Sequence, residues 1–249
     1  MEPRAVPPRA RLSAIRDFGG VRSPNHDDRR GAPVDTVVLH YTVLDAAASL
    51  DRLCDPASAV SCHWLVDEDG ATLALVEEGR RAWHAGRSRW GAARDLNARS
   101  VGIELVNDGA SPFPEAQIAA LERLLAAVTA RHRVPPERVL GHSDVAVGRK
   151  RDPGPLFPWR RLAARGLAVW PEIGSGGAGE ADPAALRAAL DAIGYDPEAG
   201  AEARLAAFRL RFRPGASGPA DARDAGRALA VAARWPVDAR CVDPPARGP

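Results

Sequence analysis

The sequence predicts an α/β protein in which short buried strands alternate with helices, followed by a small three-helix domain at the carboxyl end. Three observations lead there. Two apolar, β-branched runs, "DTVVLHY" (35–41) and "SVGIELVN" (100–107), have the length and composition of buried strands. One stretch, 114–131, repeats its apolar residues at helical spacing. Beyond a Gly-rich break at 174–180, three shorter helical stripes follow.

In chain order, residues 1–34 are rich in Arg, Pro and Gly and hold no period, so 1–20 reads as an amino-terminal arm. The segment meets the body late, at "SPNHDDR". The strand at 35–41 comes next. "HWLVDEDGATLALVE" (63–77) reads as a hairpin, because Asp69-Gly70 suits the turn between two apolar runs. The stretch from Glu78 to Ser100 carries Gly, Arg and Trp without period, and a loop of that length is usually functional. The strand 100–107 precedes the long helix, which opens at Pro114 and shows Ile118, Leu121, Leu125 and Val128 on one face with Leu124 beside it. "RVLGH" (138–142) reads as a last short strand. "PWRRLAARG" (158–166) reads as a helix with Pro158 near its first turn and Gly166 at its stop.

A first, α/β domain is therefore expected at 21–173, a linker at 174–180, a helical domain at 181–236 and a tail at 237–249. The three helices of the second domain are expected to bury Leu186, Leu190 and Ile193; Leu205, Phe208 and Phe212; and Ala225, Leu229 and Ala232.

Composition narrows the function. In 249 residues, 45% hydrophobic and 27% charged content is ordinary for a globular chain. A formal charge of +2 disfavours nucleic acid as the main partner, and no apolar run approaches the ~18 residues that would span a bilayer. Cys54, Cys62 and Cys241 are an odd set, which argues against a disulfide framework. The first residues lack the apolar core of a signal peptide, so a cytoplasmic location is expected, with the periplasm as the alternative if a signal sequence is missing from this chain.

Chemistry concentrates in "GHSDVAVGRKRDPGPLFPW" (141–159), where a histidine, two aspartates and a lysine sit among glycines and prolines. His40 and His142 both stand at the ends of expected strands, and Asp152 lies in the stiffened loop. Two imidazoles and a carboxylate with a fourth position open are what a catalytic zinc site needs, although each residue alone reads equally as structural. Glu104 lies in an apolar strand, where an acid is costly unless paired, used or on an exposed face. Lys150 is either a solvated loop charge or a second group in the Asp152 cavity. His63 and His84 are each either a partner orienting a metal ligand or a structural histidine. Trp83, His84 and Asn97 are the candidate substrate contacts; His26 and His132 read as structural or surface residues.

"VVLHYT", "WHAG", "LNARSVGIELVN" and the 141–159 stretch, in this order, resemble the zinc-dependent N-acetylmuramoyl-L-alanine amidases that cut peptidoglycan, nearest to the AmiD type, over about 21–235. "SPNHDDR" and "AFRLRFRP" (207–214) add to that likeness. The resemblance implies a mixed central β-sheet flanked by helices, the fold of the zinc amidases and peptidoglycan recognition proteins. It implies a peptidoglycan-binding-like character for the helical domain. It assigns one Zn2+ per chain to His40, His142 and Asp152, and the catalytic pair to Glu104 and Lys150. The expected partner is peptidoglycan or its muropeptide fragments, and the expected reaction is hydrolysis of the amide joining N-acetylmuramic acid, its 1,6-anhydro form included, to L-alanine. A recognition module without catalysis is the rival reading, disfavoured because all three ligand positions are filled. A zinc endopeptidase is disfavoured because the chain has no HExxH helix. Intact wall and released fragments remain equal as substrates at this level.

Overall fold

The computed structural model describes residues 22–172 and 179–237. The expected arm (1–20) lies outside the described residues, as do most of the expected linker and nearly all of the expected tail. In chain order the elements are β1 (His26–Asp28), β2 (Thr36–Tyr41), α1 (Ala46–Cys54), β3 (Trp64–Val66), β4 (Thr72–Ala74), β5 (Arg80–Ala82), α2 (Leu96–Arg99), β6 (Ser100–Leu105), α3 (Glu115–His132), β7 (Val139–Gly141), α4 (His142–Val145), α5 (Trp159–Ala164), α6 (Pro183–Ile193), α7 (Ala201–Phe212) and α8 (Ala222–Arg234).

The central sheet is mixed, with strand order β4-β3-β6-β2-β7. Strands β2, β3, β6 and β7 run parallel, and β4 closes one edge antiparallel to β3 through the turn at Asp67–Gly70. A parallel strand covered on both faces must be apolar throughout, and β2 obeys: Val37, Val38 and Leu39 are all fully buried. One face packs on α3 through the expected stripe of Ile118, Leu121, Leu125 and Val128. The helix ends where Arg133 turns into the left-handed region. This mixed sheet with flanking helices is the expected fold.

Elements β1, β5, α1 and α2 carried no usable sequence signal. The aperiodic stretch after Glu78 contains β5 and α2. Strand β5 pairs antiparallel with β1 to form a separate two-stranded ribbon, tied across by Arg81 to Asp27 and Asp95. Helix α1 is capped by Asp45, which accepts from the Ala48 amide at 2.8 Å.

Helices α6, α7 and α8 pack against the other face of the sheet, in one hydrophobic cluster with it. Phe208, Phe212, Leu190 and Ile193 share that cluster with Val38, Leu140, Val145 and Trp90. Helix α6 stops at Gly194, whose φ of 119° is open to glycine, and a side chain there would meet the Trp90 indole. The first two expected stripes are buried as read. The third is corrected: α8 buries Ala225, Ala228 and Val231, while Leu229 is 48% exposed. The helix is rotated because its capping box, Asp221 with Asp224, turns Asp224 inward to meet Arg209 and Arg213.

Candidate metal centre

Parallel pairing places His40 of β2 directly beside Glu104 of β6, at the carboxyl ends of the strands. Strand β7 ends at Gly141, and His142 follows as the first residue of α4. The 150–157 loop returns to this point, and the Ser143 amide donates to the Asp152 carbonyl at 2.8 Å. Gly141 has no side chain, which lets Pro153 and Trp159 pack against it.

These constraints bring three side chains together. His40 Nδ1 lies 2.9 Å from His142 Nδ1, and Asp152 Oδ2 lies 3.1 and 3.0 Å from those two nitrogens. All three residues are buried. The outer nitrogen of each ring is already engaged. His142 Nε2 donates to the Ala85 carbonyl at 3.1 Å, so its only proton as a neutral ring is spent there. His40 Nε2 meets His84 Nδ1 at 3.0 Å. Burial, reinforced by His142, lowers the His40 pKa to about 4, so this ring is neutral at physiological pH.

Two ring nitrogens and a carboxylate oxygen thus converge. Three electron-rich atoms so close repel one another unless a cation joins them, and two imidazoles with one carboxylate are a borderline-soft donor set suited to zinc. The residues fit the metal. Among the described residues, this is the one group of three or more such side chains arranged to hold an ion.

Glu104 stands at its edge. Its Oε1 is 4.0 Å from His40 Nδ1, and its Oε2 is buried with no hydrogen-bond partner. Burial, and then the nearby Asp152 carboxylate, push its pKa up to about 8. Lys150 is exposed at the mouth of a groove of about 370 Å³, which Trp83, His84, Asn97, His142 and Arg149 also line.

The remaining candidates fall into distinct places. Trp83 is half-buried in the groove, and its indole Nε1 has no partner. Asn97 is buried, and its Oδ1 accepts from the amides of His84 and Ala85 at 3.0 and 2.7 Å. His84 is buried, with its pKa held well below the ordinary histidine value by burial and by His40, so it is neutral. His63 accepts the Gly102 amide at Nδ1, and its Nε2 lies 3.0 Å from the Arg80 carbonyl and 2.9 Å from Arg29 Nη2; it joins β6 to β5. His26 faces Arg80, and His132 pairs with Glu78.

Sequence reasoning missed a second polar cluster behind His142. Asp144, fully buried, accepts from the Gly141 amide at 2.8 Å, from the Tyr195 hydroxyl at 2.8 Å and from Arg211 Nη1 at 3.0 Å. Arg211 also stacks on Trp159, its guanidinium carbon 4.3 Å from the ring centre. Asp144 lay in the motif stretch, but nothing local announces a partner in α7.

Comparison with known proteins points to one family of amidases. A family model described as N-acetylmuramoyl-L-alanine amidase matches residues 30–155. N-acetylmuramoyl-L-alanine amidase AmiD of Escherichia coli K12 is 37% identical over 235 residues, covering 82% of this chain and 84% of that protein. The 1,6-anhydro-N-acetylmuramyl-L-alanine amidase AmpD of Haemophilus influenzae is 31% identical, covering 59% of this chain and 91% of its own. Among solved structures, the E. coli AmiD complex with anhydro-N-acetylmuramic acid-L-Ala-D-gamma-Glu-L-Lys matches with a TM-score of 0.75 at 35% identity, covering 85% of this chain and 98% of that one. AMPDH3 of Pseudomonas aeruginosa, in complex with anhydromuramic pentapeptide, matches with a TM-score of 0.71 at 31% identity, covering 89% and 98%.

Proposed function

The chain belongs to the N-acetylmuramoyl-L-alanine amidase family, and from that premise we propose that His40, His142 and Asp152 hold one zinc ion while Glu104 and Lys150 carry the proton and charge traffic of amide hydrolysis. The enzyme is an N-acetylmuramoyl-L-alanine amidase. The bond cut joins the lactyl carbonyl of N-acetylmuramic acid to the L-alanine nitrogen of the stem peptide. The observation that carries the residue assignment is the orphaned Glu104 oxygen beside three convergent metal-ligating atoms.

Zinc bound there supplies Lewis acidity that brings the ionisation of water within reach of neutral pH. Glu104, with one oxygen free of any protein partner, takes the proton from the attacking water. It returns that proton to the L-alanine nitrogen as the carbon–nitrogen bond breaks, leaving a lactyl carboxylate and a free stem peptide. Lys150, at the groove mouth, faces the negative charge that builds on the carbonyl oxygen, where loss of one donor typically costs about 2.7–4 kcal/mol. Trp83 lines the groove with its ring. Asn97 serves the same groove by holding the His84–Ala85 segment in place.

The substrates we infer are muropeptide fragments, with the 1,6-anhydro sugar accepted, because two structurally similar enzymes were solved with anhydromuramic peptides. Among the described residues no helix is long and apolar enough to cross a membrane. Cys54 and Cys62 are both free thiols, which suits a reducing compartment and supports a cytoplasmic enzyme acting on recycled fragments. Recovery of the native enzyme in a periplasmic or outer-membrane fraction would overturn that location. For residues 181–236 the proposal is a helical domain that buttresses the catalytic part, since Tyr195 and Arg211 both reach Asp144.

Digestion of defined muropeptides by the zinc-loaded full chain, with and without anhydro ends, tests the activity. Mass analysis is expected to show the free sugar acid and a stem peptide beginning with L-alanine. Intact substrate in both arms, at full zinc occupancy, sinks the assignment.

A further inference from the structure

Each nitrogen of the His84 ring has one neighbour, and together the neighbours determine where its proton sits. Ser100 Oγ lies in short contact with the Leu96 carbonyl oxygen. A carbonyl carries no hydrogen, so the hydrogen between them is that of the Ser100 hydroxyl, which leaves Ser100 Oγ to accept at its other contact. That contact is His84 Nε2, at 3.1 Å, so the ring's proton is on Nε2. A neutral imidazole has one donor and one acceptor, which makes His84 Nδ1 the acceptor. It faces His40 Nε2 at 3.0 Å, and His40 supplies the hydrogen for that bond. His40 Nδ1 is thereby left bare, and it is the atom that meets His142 and Asp152.

We propose that His84 is a positioning residue that sets the tautomer of His40 for metal binding, through a one-way hydrogen-bond relay from the Leu96 carbonyl by way of Ser100. This rests on the metal-centre reading above and assigns that site a device it did not include. The surroundings are built to keep the relay in register. His84 and Ala85 are clamped together by Asn97, so one segment serves both ligand histidines: its side chain orients His40 and its next carbonyl orients His142. Gly102 of β6 leaves room for the His84 ring to lie against the strand; a side-chain carbon there would come within 2.7 Å of Nδ1. With both nitrogens engaged and the ring buried, His84 has no hydrogen bond to offer a substrate.

The test reads imidazole nitrogens by long-range proton–nitrogen NMR on the full chain with labelled histidine, as purified and zinc-loaded. His84 is expected as the Nε2–H tautomer in both; an Nδ1–H tautomer overturns the relay. Ser100→Ala removes the acceptor, so the His84 proton is expected to distribute over both nitrogens. Zinc affinity, measured by competition with a chromophoric chelator, is expected to fall ~10–100-fold. Ser100→Thr, which keeps the hydroxyl, is expected to recover most of that affinity, a response that simple damage to packing would not give. An unchanged tautomer and affinity in Ser100→Ala overturns the proposal, and if that variant does not fold, the unmodified chain's spectrum decides alone. An inactive wild-type chain with the stated tautomer and affinity loss would remove the amidase assignment and leave the relay. An active one with His84 protonated on Nδ1 would do the reverse.

Discussion

Asp144 and Asp152 are two buried carboxylates of one stretch of chain, each reached by groups from distant elements, yet their surroundings are opposite in kind. Asp144 is met entirely by donors: an amide, a phenol and a guanidinium. Asp152 Oδ2 is met by two imidazole nitrogens whose rings have committed their protons elsewhere. The first carboxylate is satisfied within the protein. The second offers a donor set suited to a cation. A structural and a functional buried acid are therefore told apart by donor accounting, because burial alone is the same in both.

The largest expected effect separates the two aspartates directly. Asp152→Ala is expected to leave purified protein without zinc and without measurable amidase activity, while the melting curve of the metal-free chain moves little. Asp144→Ala is expected to strand the Arg211 charge and lower stability by about 3–5 kcal/mol. Full zinc occupancy in Asp152→Ala, or an unaltered melt in Asp144→Ala, collapses the distinction.

Glu104→Gln extends the contrast to a third acid, one with a free oxygen. With its base removed, kcat is expected to fall ~10²–10⁴-fold at normal zinc content, by steady-state kinetics and metal analysis. The pH dependence has a definite sign. In the metal-free chain the folded-state pKa of Glu104 is about 8 against an ordinary 4.5, so between those values the unfolded chain gives up a proton that the folded chain keeps. The Glu104 contribution to the stability of the metal-free chain is therefore expected to decline as pH rises from about 4.5 to about 8, opposite to the rise that the buried neutral rings of His40, His63 and His84 contribute as pH approaches 6.5, and Glu104→Gln is expected to remove that declining contribution in denaturant titrations. A slope unchanged by the substitution assigns the decline to other groups.

Substitutions at Arg211 and Tyr195 probe the Asp144 cluster from the far side. Arg211→Met leaves the acid buried without its cation and is expected to cost about 3–5 kcal/mol. Paired with Asp144→Asn, the double variant is expected to lose less than the two singles summed, because neither charge is then stranded. Tyr195→Phe removes one hydrogen bond to a charged group, an expected loss of about 1.5–3 kcal/mol. Strict additivity in the first pair would mean that Asp144 and Arg211 do not act as a unit.

The legible and illegible parts of this protein divide along similar lines. Strands β2 and β6, helix α3 and the hairpin were readable because each announces itself within a few residues, through β-branched runs, a helical stripe or an Asp-Gly turn. His40, His142, Asp152 and Glu104 were readable because strand ends and a stiffened loop mark them, and because their motifs resemble a known family. Strands β1 and β5 were not: each has three residues and exists through pairing with the other, far along the chain. Asp144, Arg211 and Tyr195 share no spacing that would suggest contact. Ser100 read as the polar start of a strand, and its part depends on a carbonyl four residues back. Leu229 misled because apolar spacing alone does not say which side of α8 faces inward; the inward turn of Asp224 decides it.

The missing side chain at Gly102 has a consequence for how this protein can vary. Adding even a methyl group there drives the His84 ring out of its place, and trimming His84 to make room removes the ring that holds His40. The two positions form a ratchet in sequence space, since whichever changes first disables the centre before the other can compensate. A saturation library scored for zinc retention should accordingly find position 102 about as intolerant as a ligand position, although glycine there touches no metal. Recombining this enzyme with a relative at a crossover between residues 84 and 102 is safe only when both parents carry the same pair.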